Sequence, residues 1–422
     1  MKNSLWSRIK AHPFLRVGPG LVTGVADDDP SGIVTYSQAG AQFGLNMLWT
    51  MPIAYPLMAA IQVVCARLGR VTGRGLAANI KTTFPPFILF FLVLLLLIAN
   101  ILNIAADIAA MGEVASLVTG INWHVMTAFF VTLTLALQIL IPYHRYVYFL
   151  KWLTLSLLAY AAVLFTIHIP WSEVLWATFL PRFTLSADAA AVIVGIFGTT
   201  ISPYLFFWQA SQEVEDMNSR HQKSLLISKP EINHSELRRI SWDTWSGMLY
   251  SNLAAYCIIL ATGLTLHEAG VTDINTAAQA ASALRPLAGN FAYLLFALGI
   301  LGVGLIGVPI LAGSAAYALS EVFGWHASLE DSPRQAIKFY IVIALSVLVA
   351  LAIQYSPISP MKALFWSAVI NGVVAVPLMV AILILASKKS VMGPFVTGKF
   401  ILCLGWFDTG LMGVTALYMF FA

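Results

Sequence analysis

Residues 18–44 read GPGLVTGVADDDPSGIVTYSQAGAQFG, an apolar segment interrupted at its centre by three aspartates, a proline and a glycine. Pro30 has no backbone donor and its ring clashes with the preceding turn, so one unbroken helix cannot pass through it. A carboxylate at membrane depth is costly and by default marks an ion pathway. The plainer alternative is that Asp29 only caps a helix that begins with Pro30 at its first position. One cap does not need three carboxylates, and the two readings are compatible: the cap fixes the carboxylate while its other oxygen faces a cation. Asp27 and Asp28 are weaker candidates, because solvation in a vestibule would account for them.

The rest of the chain is of the same apolar kind. Of 422 residues, 59% are apolar and only 10% are charged, with a mean hydropathy of +0.83; a soluble chain averages about 25% charged residues. This excludes a soluble enzyme, a disordered protein and a disulfide scaffold, and leaves a polytopic all-α membrane protein. The net charge of +4 comes from basic residues spread along the chain, so no nucleic-acid partner is expected. Cys65, Cys257 and Cys403 lie in apolar stretches, which indicates neither a disulfide framework nor a metal knuckle. The basic N-terminal residues lack the apolar core of a cleaved signal sequence.

Eleven stretches have the length and composition of spans: about 17–44 (interrupted), 48–68, 86–118, 124–142, 146–168, 188–209 (interrupted), 243–265, 289–320, 336–355, 362–386 and 400–421. With the N-terminus inside, 20 of the 23 basic residues fall on the cytoplasmic side, and only Arg182, Arg285 and Lys362 fall outside. That places the C-terminus outside. The polar stretch 210–241 is expected to be an inside loop with a short surface helix and no chemistry.

The sixth span is broken like the first, at Gly198-Thr199-Thr200-Ile201-Ser202-Pro203-Tyr204. Irregular backbone at membrane depth persists only where it lines a cavity or meets an ion. Two broken spans five positions apart point to an inverted-repeat transporter with its site at the midplane.

Several of these segments resemble the Nramp family of divalent metal transporters: GPGLVTGVADDDPSG (18–32), QAGAQFG (38–44), ARLGRVTGRGLA (66–77), ADIAAMGEVASL (106–117), TTISPYLF (199–206) and the region 276–307. The resemblance implies a LeuT-type fold in one transporter domain over 1–422. Its two inverted five-helix repeats would occupy about 17–168 and 188–386, with an eleventh helix at about 400–421. The family's first broken helix carries Asp-Pro-Gly-Asn and its sixth Met-Pro-His. Here these become Asp29-Pro30-Ser31-Gly32 and Ser202-Pro203-Tyr204. Position by position, the resemblance makes Asp29 the metal-binding carboxylate, and Ala26 and Thr199 the carbonyl donors. Gly32 stands for the family's Asn ligand, Ser202 for its Met and Tyr204 for its proton-pathway His. An acid pair in the third span is half kept, as Asp107 with Ala110, and Glu113 lies a turn further on. Asp28, Thr200 and Asn371 are auxiliary or pathway candidates; for Asn371 an interhelical hydrogen bond is an equal alternative.

Thioether ligands favour soft and borderline metals, whereas carboxylate, carbonyl, hydroxyl and water suit Mg²⁺ and Mn²⁺. Losing Met and Asn is expected to leave a roomier, all-oxygen site for a partly hydrated ion. This pattern resembles the divergent branch of Nramp-related magnesium transporters, which implies transport without protons. The expectation is a non-enzyme without cofactor that carries Mg²⁺ (and Mn²⁺) as substrate. Its only other partner would be the lipid bilayer of a prokaryotic inner membrane, with no obligate protein partner. One alternative is a proton-coupled Mn²⁺ or Fe²⁺ symporter using Asp107 or Glu113. A remote one is an intramembrane aspartyl hydrolase pairing Asp29 with Asp408.

Overall fold

The computed structural model describes residues 19–141, 158–181, 186–219, 233–329, 331, 333–353 and 359–421. Every regular element among them is helical. The first half comprises α1 (Pro19–Asp27), α2 (Pro30–Phe43), α3 (Thr50–Thr72), α4 (Leu76–Thr83), α5 (Pro86–Thr119), α6 (Trp123–Leu140), α7 (Leu158–Val163) and α8 (Trp171–Phe179). The second comprises α9 (Ala187–Thr200), α10 (Pro203–Ser219), α11 (Asn233–Thr262, ending in a π-helical turn Gly263–His267), α12 (Ala277–Ser282), α13 (Arg285–Ala288), α14 (Ala292–Phe323), α15 (Ile337–Ile353), α16 (Pro360–Ser387), α17 (Lys389–Met392) and α18 (Lys399–Phe421).

Local chemistry sets many of these boundaries. Pro30, Pro86, Pro203 and Pro360 each open a helix, where a missing N–H costs nothing. Gly73, Gly120 and Gly324 close α3, α5 and α14 in the left-handed region, which only glycine enters without strain.

Eight helices among the described residues are long and apolar enough to cross a membrane. The first span is missing from that set, although the equally broken sixth is in it, because Asp27, Asp28 and Asp29 at its centre make it too polar. The ninth is the 17-residue α15. Most of the fifth expected span, and the whole of 220–232, lie outside the described residues; α7 is the end of the former. The polar stretch after residue 209 differs from expectation. Its described parts are no separate surface helix: α10 runs on to Ser219, and α11 already begins at Asn233. Large apolar side chains on the outer face of α5 (Phe87, Phe90, Leu94) and of α18 (Phe400, Phe407, Phe421) are exposed, as a hydrocarbon surrounding permits and water does not.

Inside the bundle, α1 lies against α11 almost without intervening side chains. A Cβ built on Gly24 would stand 2.3 Å from the Gly247 backbone. Gly24→Ala therefore forces the two helices apart, and overpacking of this kind costs about 1–3 kcal/mol. The expected result is a lower midpoint of thermal unfolding in detergent; an unchanged midpoint would mean that α1 is not seated on α11.

A candidate cation site between two broken helices

Each proline that breaks a helix also deprives one particular carbonyl of its partner. The residue four before Pro30 is Ala26, and the residue four before Pro203 is Thr199. Neither carbonyl can receive its normal helical hydrogen bond. Side chains serve them instead. The Tyr204 hydroxyl lies 3.1 Å from the Ala26 oxygen, and the Ser202 hydroxyl donates to the Thr199 and Gly198 oxygens, each at 2.8 Å.

Asp29 sits in extended backbone (φ −70°, ψ 173°) between the half-helices and caps α2. Its Oδ1 accepts from the Gly32 amide at 2.9 Å and the Ser31 hydroxyl at 2.6 Å. Its Oδ2 accepts from the Asn103 amide at 2.9 Å, and the Tyr204 hydroxyl lies 3.2 Å away. The cap thus occupies Oδ1 alone, and Oδ2 is turned to Asn103 and Tyr204. Tyr204 spans Asp29 and Ala26, two of the oxygens that the family pattern assigns to the metal. The negative, carbonyl end of α1 adjoins the same point.

Asn103, on α5, was not among the residues singled out from sequence. Its Oδ1 accepts from Ser367 of α16 at 2.7 Å, which turns the amide nitrogen towards Asp29. A signal for it exists: Asn100, Asn103 and Asp107 recur at three and four residues along an otherwise apolar helix, and so share a face. Asp107 is buried with neither carboxylate oxygen hydrogen-bonded. Gly307 of α14 separates it from Asp29: a Cβ there would lie 3.2 Å from the Asp29 Cβ and 3.8 Å from Asp107 Oδ2.

Other candidates lie elsewhere than expected. Asp27 and Asp28 are not solvated in a vestibule but buried, because α11 packs on α1. The Ser251 hydroxyl lies 2.5 Å from Asp27 Oδ2 and 3.0 Å from Asp28 Oδ1, a contact with no sequence signal of its own. Gly32 does not open the site. A Cβ there would meet the Thr199 hydroxyl at 3.0 Å and the Tyr36 ring at 3.4 Å, so Thr199 already fills part of the room that a lost Asn would leave. Thr200 spends its hydroxyl on the Ile196 and Phe197 carbonyls of its own helix. Glu113 is not at the site either; its Oε1 accepts from the Ala277 amide at 2.9 Å, at the start of α12. Asn371 is buried one turn beyond Ser367, with neither amide atom hydrogen-bonded. Asp408 is buried on α18 and is not among the partners of Asp29.

Asp29, Ser202, Tyr204, Asn103 and Thr199 are all at most 1% exposed, so the site is occluded. On one side, polar contacts tie α1 to its neighbours: Gly20 N to Asp243 at 2.8 Å, and Thr23 to Gln209 at 2.5 Å. Beside them Glu213 pairs with Arg239 at 3.3 Å. On the other side, a cavity of about 320 Å³ follows α2 past Gln42, Gln38 and Val34, one turn short of the break, with Asp188 and Asp273 on its walls. Among the described residues no three His, Cys, Asp or Glu side chains converge as they would around a resident metal.

The sequence model of a family described as "Natural resistance-associated macrophage protein-like" (Nramp) matches residues 20–422. The chain belongs to the Nramp family. Among curated relatives of this Nramp chain, the "Divalent metal cation transporter MntH" of Erwinia tasmaniensis is 29% identical over 301 residues, 69% of this chain and 68% of the relative. The protein of that name from Bradyrhizobium diazoefficiens is 26% identical over 424 residues, covering 98% and 89%. In fold it is similar to the Eremococcus coleocola manganese transporter crystallised with an aromatic bis-isothiourea substituted compound. That match has a TM-score of 0.73 at 17% identity and covers 99% of this chain and 87% of the other. A more distant likeness is to Mhp1, a nucleobase-cation-symport-1 family transporter, with a TM-score of 0.55 at 12% identity and coverage of 95% and 92%. The architecture is the LeuT-type one that the family resemblance implies.

Proposed function

We propose that this protein carries a divalent cation, Mg²⁺ and also Mn²⁺, into the cell through the break between α1–α2 and α9–α10, without coupling to protons. The observation that carries this reading is the donor set at the break. One buried carboxylate, Asp29, stands with two proline-freed carbonyls, Ala26 and Thr199, and the hydroxyls of Ser202 and Tyr204, with no sulfur ligand and no histidine. Oxygen-only coordination favours hard cations, and Mg²⁺ characteristically uses only one or two carboxylates while keeping waters. The divalent-metal and manganese transporters named among its relatives support the broader class.

In this mechanism the ion comes along the α2 cavity and takes over Asp29 Oδ2 and the Ala26 carbonyl from the Tyr204 hydroxyl. The contacts of Gly20, Thr23 and Glu213 then release, and the half-helices rock to open the inner side. A divalent ion gains about 4.6 kcal/mol on entering a cell polarised by 100 mV, at about 2.3 kcal/mol per charge. Inward flux therefore needs no coupled proton. The charge distribution supports a cytoplasmic N-terminus and an outer C-terminus in the cell membrane, and the two broken spans five positions apart support repeats at about 17–168 and 188–386.

One observation favours a second reading, a proton-coupled Mn²⁺ or Fe²⁺ symporter: Asp107, the retained member of the family's acid pair, is buried near Asp29 with both oxygens unbonded. Proteoliposomes loaded with a Mg²⁺ dye and a pH dye separate the two. Mg²⁺ entry without internal acidification is expected; Mn²⁺ entry with matching acidification and no Mg²⁺ entry would overturn the proposal.

Asn103→Ala removes the amide that positions Asp29. Hydrogen bonds to charged groups contribute about 1.5–3 kcal/mol, so the KM for the ion is expected to rise about tenfold or more. An unchanged KM in uptake assays would mean that Asn103 is a packing residue only.

A further inference from the structure

A second cavity, of about 720 Å³, lies between α3, the early turns of α11 and the segment 394–398. None of its lining residues belongs to the cation site. Asn252 bonds to the Met51 carbonyl, and Trp245 packs edge-on against Tyr55 at 5.3 Å. The two helices therefore run antiparallel, with later residues of α3 level with earlier residues of α11. Arg67 and Arg238 consequently share one end of the cavity, while Tyr55 and Trp245 share the other. Along α3 the two ends are about 18 Å apart, at about 1.5 Å per residue.

The two arginines face this cavity without a counter-charge among the described residues. No acid lines it, and neither arginine forms an ion pair with a described residue. Arg67 gives one N–H to the Phe395 carbonyl at 3.2 Å, and its Nε is buried without a hydrogen-bond partner. Trp242, on the cavity wall, is 69% exposed. Exposed tryptophan and arginine near helix ends are what the membrane–water interface selects. A cavity between spanning helices that is cationic at one end and aromatic at the other has the polarity of a phospholipid.

We propose that this cavity binds an anionic phospholipid, its phosphate meeting Arg67 and Arg238, and its glycerol and upper acyl chains lying along Tyr55, Trp242 and Trp245. The planar guanidinium fork suits a phosphate oxygen pair. Arg238 directly precedes Arg239, which pairs with Glu213 of α10, so the lipid would sit beside the contacts that close the inner side. The proposal does not depend on which ion is carried.

Native mass spectrometry of the purified full-length protein tests it, after incubation with phosphatidylglycerol or phosphatidylcholine of matched chains. The wild type is expected to retain phosphatidylglycerol about tenfold better, and R67Q/R238Q to bring the ratio close to one. Equal phosphatidylglycerol retention by wild type and variant would overturn the site. Displacement of the lipid by an equimolar amount of inorganic phosphate would overturn the lipid in favour of free phosphate. If the double variant is lost to misfolding, R238Q decides alone: Arg238 is exposed, so its substitution leaves the packed interior intact.

Discussion

Asp29→Asn is expected to reduce divalent-cation flux more than 100-fold while leaving the protein folded. The side chain does two jobs that this substitution separates. As the cap of α2 it accepts from the Gly32 amide, and the Asn amide oxygen can do the same. In the proposed mechanism it also supplies, as the carboxylate at the break, the negative charge for an ion that has shed water in a site no more than 1% exposed. Removing one member of a buried charge pair costs about 3–5 kcal/mol, which at about 1.4 kcal/mol per decade is about two to three and a half orders of magnitude. Asp29→Ala should abolish flux as well, and should also lose about 1 kcal/mol of stability with the cap. Uptake into proteoliposomes and thermal unfolding in detergent read the two effects apart. Flux that persisted in a folded Asp29→Asn variant would move the ion to another part of the molecule.

The other large effect expected is a change of selectivity. Gly32→Asn with Ser202→Met restores the family's amide and thioether, and competition assays should then favour Mn²⁺ or Cd²⁺ over Mg²⁺ by a further tenfold or more, about 1.4 kcal/mol. The structure adds a condition. The Cβ of residue 32 would meet the Thr199 hydroxyl at 3.0 Å, so the pair is best tested with Thr199→Ala as well. Ser202→Met also removes the hydroxyl that bonds the Thr199 carbonyl, freeing that oxygen for the ion. Unchanged selectivity in a variant that still transports would break the link between ligand type and ion preference.

How far the site was legible depends on the range of the physics at each residue. Pro30 and Pro203 act within one turn, so the breaks, the cap at Asp29 and the two orphaned carbonyls all follow from local sequence. The length of apolar runs is likewise local, and it accounts for the long helices α5, α14 and α16. Burial of Asp27 and Asp28 was not legible in the same way. It depends on Gly24 and Gly247 letting α1 and α11 touch, and on Ser251 arriving opposite the break. Glu113 looked like a substitute acid because it lies near Asp107 in the chain. The packing of α12 against α5 gives it a helix start to cap instead.

The sequence alone therefore determined that this is a membrane-embedded helical protein with two broken spans and a carboxylate at one break. Those features come from solvent exclusion and from proline's missing donor, which act on the chain wherever it goes. Only the tertiary structure decided what surrounds that carboxylate: Asn103 turned towards it by Ser367, Tyr204 spanning it and Ala26, and Thr199 in the space beside Gly32. Each of these is a contact between helices far apart in the chain. Their partners are chosen by how α2, α5, α10 and α16 pack around one point, which no local pattern encodes.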